Sequence, residues 1–255
     1  MSQSPFSPFD LKPETPAKGA VLLLHGFTGS PWDLRPLGEG LARAGYRAVC
    51  PLLPGHGEDA GELPSYTEQH WEASAEAALR QLSLEENGPV HVVGFSMGAL
   101  LALVLAANHR ARVRSLALLA PALRLADAPS GWLRRFRFLP FERLRPWMTK
   151  DSTDIRDPAV RALAPLMPRW PLGWIRNFWR LQARAEEVAP GIRVPALLVA
   201  ADHDAVVSLE GVRLLAARLP AVRRLVRLPR SGHVIPRDLD AARAEAELLA
   251  FLSRA

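Results

Sequence analysis

Six short apolar segments, most of them separated by stretches with helical periodicity, constrain the fold of this 255-residue chain more than any other feature. The segments span residues 20–24, 47–51, 89–95, 113–119, 196–200 and 223–228. Short apolar runs that alternate with helices are typical of a parallel sheet covered by helices on both faces. The pattern therefore predicts an α/β fold with a mostly parallel sheet and right-handed crossover connections.

The stretches between and after these strands predict five helices. They span residues 33–44, 67–84, 97–108, 210–218 and 238–252. Thr67 is a suitable N-cap for the second helix, and Glu68 lies in its first turn, where the helix dipole favours a carboxylate. Strands and helices together predict an α/β core made of residues 1–123 and 191–255.

Residues 124–190 interrupt this alternation and differ from it in composition. They contain five of the seven tryptophans and carry a formal net charge of +6, which is the net charge of the whole chain. Seven prolines between residues 129 and 171 divide the segment, which predicts short helices. Since open α/β sheets bind ligands at the carboxyl ends of their strands, we interpret residues 124–190 as a helical cap, or lid, inserted above that edge.

Composition excludes several classes of protein. No run of about 18 uncharged apolar residues is present, so a transmembrane helix is excluded. The first residues lack the basic and apolar regions of a secretory signal peptide, and we expect a cytoplasmic protein. A single cysteine, Cys50, excludes an intramolecular disulfide and any multi-cysteine metal site.

The pentapeptide Gly94-Phe95-Ser96-Met97-Gly98 follows an apolar strand and opens a predicted helix. This G-x-S-x-G pattern is typical of a tight strand-to-helix turn that projects a serine hydroxyl from the sheet. Small residues allow strand and helix to approach at the bend, and the helix N-terminus favours developing negative charge. We therefore interpret Ser96 as a catalytic nucleophile, the alternative being a turn serine chosen for its size.

The loop His25-Gly26-Phe27-Thr28-Gly29 follows the first strand of this set. Acyl transfer requires two N–H donors aimed at the tetrahedral oxyanion. Beside a serine in such a turn, one donor is the backbone amide of the next residue, Met97, and the other comes from the loop after the earlier strand, most plausibly Phe27. The His25 side chain is interpreted as a brace for the loop, and His56 as a structural turn residue.

A general base and a carboxylate to orient it are expected near the C-terminus. His233, in a Ser-Gly-His-Val motif after the last strand, is the candidate base, which must reach Ser96 Oγ. Two carboxylates compete for the third position, and the spacing A-x-x-D-x-x-V favours Asp204 over Asp202. The order Ser96, Asp204, His233 is the nucleophile, acid and base order of the α/β-hydrolases.

The chain resembles the α/β-hydrolases of the bacterial monoacylglycerol lipase and thermostable carboxylesterase group. The similarity begins at about residue 19, and its matching segments are 20–29, 44–57, 94–98, 153–163, 204–207 and 231–234. The resemblance implies Ser96, Asp204 and His233 as a catalytic triad and the Phe27 and Met97 amides as an oxyanion hole. It also implies hydrolysis of a carboxylic ester without a metal or organic cofactor.

The chain departs from the family pattern in the predicted cap. Monoacylglycerol lipases of this type place polar groups, one of them acidic, around the glycerol head group. Here no Asp or Glu occurs between Asp157 and Glu186, which favours a less specific carboxylesterase. The substrates implied are small-molecule acyl esters of short to medium chain length, or monoacylglycerols.

Aromatic and apolar side chains of the predicted cap are candidates for the wall of an acyl-chain pocket. The candidates are Trp132, Trp147, Met167, Trp170 and Trp174. The alternative is that they pack the cap onto the sheet. Residues 132–138 mix arginines with aromatics as membrane-surface helices do, so transient contact with a lipid surface is one interpretation and a solvated basic face the other. No motif for nucleic-acid recognition is present, and no nucleic-acid partner is expected.

Two kinds of alternative function stay open at this point. The same triad serves peptidases, C–C bond hydrolases, perhydrolases and acyltransferases, because a fold does not determine the chemistry of its site. A non-catalytic binding module with a hydrolase fold is an alternative of a different class. Such modules usually have a broken triad, whereas the three motifs are intact here.

Overall fold

The computed structural model describes residues 4–57, 66–126, 146–150 and 152–255. Within these residues, seven strands form one sheet in the order β1-β3-β2-β4-β5-β8-β9, and two further strands, β6 and β7, form a small antiparallel pair. The strands are β1 (Phe9–Leu11), β2 (Ala20–Leu24), β3 (Arg47–Cys50), β4 (Val90–Phe95), β5 (Val113–Leu119), β6 (Trp147–Thr149), β7 (Arg169–Pro171), β8 (Ala196–Ala201) and β9 (Val222–Leu228).

The large sheet is mostly parallel, which confirms the predicted fold class. Its strands pair in parallel except β1, which runs antiparallel to β3 at one edge. The sequence analysis missed β1, since three residues are too few to show a periodic pattern. The last apolar segment is only partly apolar: β9 lies at the opposite edge of the sheet, where its arginines are exposed and only Val226 and Leu228 are buried.

Helices lie on both faces of the sheet. In the described residues they are α1 (Pro31–Arg43), α2 (Glu68–Glu85), α3 (Met97–Asn108), α4 (Pro158–Ala162), α5 (Trp174–Val188), α6 (Leu209–Arg218) and α7 (Ala241–Leu252). Neighbouring residues of β2 point to opposite faces, so that Leu22 and Leu24 belong to one hydrophobic cluster and Val21 and Leu23 to another. No helix in the described ranges is long and apolar enough to cross a bilayer.

The five predicted helices are all present, and only α7 begins more than two residues from its predicted start. Helix α7 begins at Ala241 and not at 238, because the carboxylates of Asp238 and Asp240 accept hydrogen bonds from the loop before them. Asp238 Oδ2 binds the Gly232 amide and Asp240 Oδ2 binds the Arg230 amide, at 2.7 and 2.8 Å. These contacts hold the chain that precedes the helix at the carboxyl edge of the sheet.

The segment 124–190 contains more than the short helices that its prolines predict. Strands β6 and β7 pair within it, and α5 runs for 15 residues because no proline lies between Pro171 and Pro190. Residues of α5 belong to the larger hydrophobic cluster, and Gln182 Nε2 donates to Ala122 O at 2.7 Å. The division into a core (1–123 and 191–255) and a cap (124–190) stays a prediction.

Candidate active site

Ser96 lies at the turn between β4 and α3 with φ 55° and ψ −114°, a backbone conformation that is strained for a residue with a side chain. The two flanking glycines permit the turn. A Cβ on Gly94 would collide with the backbone at Gly98 and Ala99, and a Cβ on Gly98 would collide with the carbonyl oxygen of Leu24. Gly94 and Gly98 thus allow α3 to approach its own strand and β2, and the turn carries the Ser96 hydroxyl above the sheet.

The Ser96 hydroxyl is the first member of a chain of hydrogen bonds. His233 Nε2 lies 2.9 Å from Ser96 Oγ, and His233 Nδ1 lies 2.8 Å from Asp204 Oδ2. An ionised carboxylate only accepts hydrogen bonds, so Nδ1 carries the proton and Nε2 of the neutral ring is free to accept from the serine hydroxyl. Ser96 and His233 are both buried, at 5% and 8% exposure.

Asp204 lies in the loop after β8 and is oriented by its own backbone. Its Oδ1 accepts hydrogen bonds from the amides of Val206 and Val207 at 2.8 and 2.7 Å, which leaves Oδ2 for His233. Asp202, the competing carboxylate, forms an ion pair with Arg227 at 2.8 Å. The fold therefore brings Asp204, and not Asp202, to the imidazole.

The loop after β2, residues 25–29, lies beside this site. A Cβ on Gly26 would lie 3.1 Å from Ser96 Cβ, so Gly26 packs against the serine, and Phe27 lines the same cavity as Ser96. His25 braces the loop: its Nε2 accepts from the Leu53 amide and its Nδ1 donates to Gly26 O, both at 3.0 Å. Burial lowers the pKa of His25 to about 4, so the ring stays neutral and keeps both bonds near pH 7.

A cavity of about 290 Å³ opens directly beside Ser96. Its apolar wall is formed by Phe27, Phe95, Leu125, Trp170, Ile175, Phe178, Val206 and Val234. Its polar wall is formed by Thr28, Asp33, Lys150, Ser152, Thr153, Asp154 and His233. Both strands of the 124–190 segment and α5 therefore lie close to the nucleophile candidate, since Lys150 directly follows β6, Trp170 lies in β7, and Ile175 and Phe178 belong to α5.

The predicted pocket residues of the 124–190 segment are placed in different surroundings. Trp170 lines the cavity and its ring centre lies 5.1 Å from that of Phe27. Met167 and Trp174 are buried in the larger hydrophobic cluster, where Trp174 packs against Phe27 from the side. Trp147 is half-buried beneath the Arg169 guanidinium, and Trp132 lies outside the described residues.

Comparison with known proteins identifies the family. A family model described as "Serine aminopeptidase, S33" matches residues 15–240 of the chain. The chain belongs to this family. Its members adopt the α/β-hydrolase fold, and this chain is a serine hydrolase. Together with an identity of 31% to a monoacylglycerol lipase, this membership confirms the predicted resemblance to the monoacylglycerol lipase and carboxylesterase group.

Individual members of the serine hydrolase family are similar over most of the chain. The thermostable monoacylglycerol lipase of Bacillus sp. strain H-257 is 31% identical over 225 residues, which cover 86% of this chain and 84% of the relative. The carboxylesterase of Bacillus subtilis strain 168 is 23% identical over 240 residues, 92% of each chain. A solved structure from LipS and LipT, two metagenome-derived lipolytic enzymes, is 29% identical with a TM-score of 0.86 and 98% coverage of both chains.

Two titratable residues on the cavity wall of this serine hydrolase, Lys150 and Asp33, were not predicted from the sequence. Lys150 Nζ donates to Thr28 Oγ1 at 3.0 Å, and Asp33 Oδ2 accepts from the Ser30 amide at 3.1 Å. Burial lowers the pKa of Lys150 and raises that of Asp33, and each charge opposes the effect of burial on the other. Lys150 and Asp33 are far apart in the chain, and no local motif joins them.

A second residue that the analysis of single positions missed is Asp154. Its Oδ2 accepts hydrogen bonds from the amides of His233 and Ala205, at 3.0 and 2.9 Å. The only sequence signal was its position in the segment 153–163, which resembles the cap of the hydrolase family. Its role depends on contacts with two loops that lie 51 and 79 positions further along the chain.

Proposed function

We propose that this serine hydrolase cleaves carboxylic esters through an acyl-enzyme, with Ser96 as nucleophile, His233 as general base and acid, and Asp204 as the carboxylate that orients His233. The observation that carries the proposal is the chain of hydrogen bonds from Ser96 Oγ through His233 to Asp204, which opens on the 290 Å³ cavity. The backbone amides of Phe27 and Met97 are proposed as the oxyanion hole.

The reaction proceeds in two steps, acylation of Ser96 and hydrolysis of the acyl-enzyme. His233 Nε2 takes the proton of Ser96 Oγ as this oxygen attacks the ester carbonyl, and the resulting oxyanion receives hydrogen bonds from the two amides. Collapse breaks the bond to the alcohol oxygen, which leaves with the proton from His233. Water then attacks the acyl-enzyme by the same route, so that the acid is released and Ser96 regains its proton.

The substrates are proposed to be short- to medium-chain acyl esters or monoacylglycerols. A volume of 290 Å³ lies at the lower end of the range for small-molecule pockets, and the wall is largely apolar. The names of the relatives, monoacylglycerol lipase and carboxylesterase, support ester substrates. The serine aminopeptidase description of the family favours a peptidase as the second candidate, since the same triad cleaves amides.

Residues 124–190 are proposed as the cap of the site. Lys150, Trp170 and Phe178 of this segment reach the same cavity as Ser96, and α5 packs on α3, the helix that follows the nucleophile. The polar groups of this segment at the cavity belong to Lys150 and residues 152–154 and not to the stretch between Asp157 and Glu186, where acidic residues are lacking. A head group with several hydroxyls would therefore meet Lys150, Ser152 and Thr153.

A substrate panel tests the proposal. We expect the wild type to hydrolyse p-nitrophenyl esters from acetyl to palmitoyl with a maximum at short or medium chain length, and Ser96→Ala to lose at least about 10⁴-fold in kcat. The panel includes a monoacylglycerol and an aminoacyl p-nitroanilide. Turnover of the anilide alone would assign the chain to the peptidases, and full activity of Ser96→Ala would refute the proposed nucleophile.

A further inference from the structure

The two loops that carry His233 and Asp204 follow different strands, β9 and β8, and their side chains must meet at 2.8 Å. A displacement of about 1 Å at such a site costs about 10²-fold in rate. Something must therefore hold the two backbones at a constant separation. Asp204 fixes its own carboxylate with local hydrogen bonds that do not reach the loop of His233. A backbone bond from the His203 amide to Ser231 O, at 3.3 Å, joins the two loops but involves neither Asp204 nor His233.

The carboxylate of Asp154 lies between these loops and binds both. One oxygen, Oδ2, accepts from the backbone N–H of His233 at 3.0 Å and from that of Ala205, the residue after Asp204, at 2.9 Å. The backbone oxygen of Asp154 accepts from the Val234 amide at 3.2 Å. Gly232 packs so closely that a Cβ there would lie 2.7 Å from Asp154 Oδ1.

Other carboxylates complete the support of the His233 loop but do not bridge it to Asp204. Asp240 binds the amides of Arg230 and Ser231, and Asp238 binds the amide of Gly232. Asp238 also accepts from the backbone of residues 156 and 157, both at 2.9 Å, and so fixes the segment that carries Asp154. In the described residues, Asp154 is the carboxylate whose bonds connect both loops.

We propose that Asp154 is a positioning residue that sets the distance between His233 and Asp204, and that residues 152–157 thereby contribute to the reaction as well as to the cavity wall. This inference rests on the proposed function, since it assigns a role relative to the His233–Asp204 pair. This role requires one oxygen atom at a fixed position that accepts hydrogen bonds from both backbone amides. Asn supplies such an oxygen without the charge, whereas Glu keeps the charge and moves the oxygen by one methylene.

Steady-state kinetics of Asp154→Ala, Asp154→Asn and Asp154→Glu test the proposal. We expect kcat to fall about 10²-fold in Asp154→Ala and Asp154→Glu and to stay within about fivefold of the wild type in Asp154→Asn. KM should change little in all three variants. A substrate-binding role would instead raise KM. Asp157→Ala is the matched control, because Asp157 also accepts from two amides, those of Ala159 and Val160, but within its own short helix.

The rate of Ser96 labelling by a fluorophosphonate probe is measured in parallel, with thermal unfolding to establish that each variant is folded. If none of the esters in the panel is hydrolysed, the proposed function is wrong. The labelling rates of the variants still test whether Asp154 positions His233. If Asp154→Ala does not fold, the comparison of Asp154→Asn with Asp154→Glu is sufficient. The proposal then requires that kcat and the labelling rate of Asp154→Asn exceed those of Asp154→Glu at least about tenfold. The proposal is overturned if folded Asp154→Ala or Asp154→Glu has the kcat of the wild type, or if Asp154→Asn is as slow as Asp154→Glu. It is also overturned if the substitutions raise KM and leave kcat unchanged.

Discussion

Lys150 and Thr28 lie 122 positions apart in the chain and are joined by a hydrogen bond of 3.0 Å from Nζ to Oγ1. Thr28 has a φ of 56° and directly follows Phe27, whose amide is proposed as an oxyanion donor. The bond therefore connects the end of β6 to the loop beside the nucleophile. Since a side chain at positive φ is strained, an external partner for Thr28 helps to hold that loop in place.

We predict that Lys150→Met lowers kcat about tenfold, because the loop with the Phe27 amide loses its support while the amide itself remains. Thr28→Val removes the same bond from the other side and should have a similar effect. Since both changes remove one interaction, the double variant should be no slower than either single variant. Multiplicative losses in kcat of the double variant would show that Lys150 and Thr28 act independently.

Asp204 and Asp202 offer a matched pair of substitutions in one loop. Asp204→Asn should lower kcat about 10⁴-fold, because the carboxylate that orients the imidazole and stabilises its protonated form is lost. Asp202→Asn should leave kcat unchanged and cost less than about 0.5 kcal/mol of stability, since it breaks only the ion pair with Arg227, whose side chain is half exposed. Kinetics with p-nitrophenyl acetate and urea unfolding measure both. Equal activity of the two variants would contradict the assignment of Asp204.

Trp170 is predicted to limit the acyl chain. Trp170→Ala enlarges the cavity beside Ser96, and we expect the ratio of kcat/KM for decanoyl over acetyl p-nitrophenyl esters to rise about tenfold, as about two additional methylenes gain apolar burial. Trp147→Ala is the control, since Trp147 packs near Arg169 and is not among the residues lining this cavity. An unchanged ratio in Trp170→Ala, or the same increase in Trp147→Ala, would show that Trp170 does not set chain length.

Buried neutral histidines predict how stability depends on pH. Burial lowers the pKa of His91 to about 4, while the unfolded chain has the usual value of about 6.5. The unfolded state therefore binds more protons between these values. The contribution of His91 is complete above pH 6.5 and is lost as the pH falls towards 4, by up to about 1.4 kcal/mol per pH unit.

His91→Asn isolates this contribution in urea unfolding between pH 7 and pH 4. Asn retains a polar partner for Ser115 Oγ, which lies 2.7 Å from His91 Nδ1, but takes up no proton. The free energy of unfolding should therefore fall less steeply with decreasing pH in the variant than in the wild type. Parallel pH profiles would mean that His91 is protonated equally in both states.

Local patterns in the sequence predicted most of the fold and selected Ser96, Asp204 and His233, which the structure brings together. Short apolar runs predicted six strands of the sheet. The reason is clearest for β2, β4, β5 and β8, which are buried on both faces at nearly every position and therefore need apolar side chains in succession. The G-x-S-x-G turn predicted Ser96, since steric contact between strand and helix restricts the flanking residues to glycine. Spacing also favoured Asp204 over Asp202, and the structure places Asp204 on His233.

Which residues meet across the site depends on tertiary packing. Trp170 and Trp174 are similar side chains four positions apart, yet one lines the cavity and the other is buried behind Phe27. Asp154 and Lys150 contact loops that lie 51 to 122 positions away. Strands, helices and the serine turn depend on residues that are neighbours in the chain, and local sequence patterns therefore predict them. Contacts between distant segments leave no periodic pattern, because they depend on how the completed sheet and its helices pack.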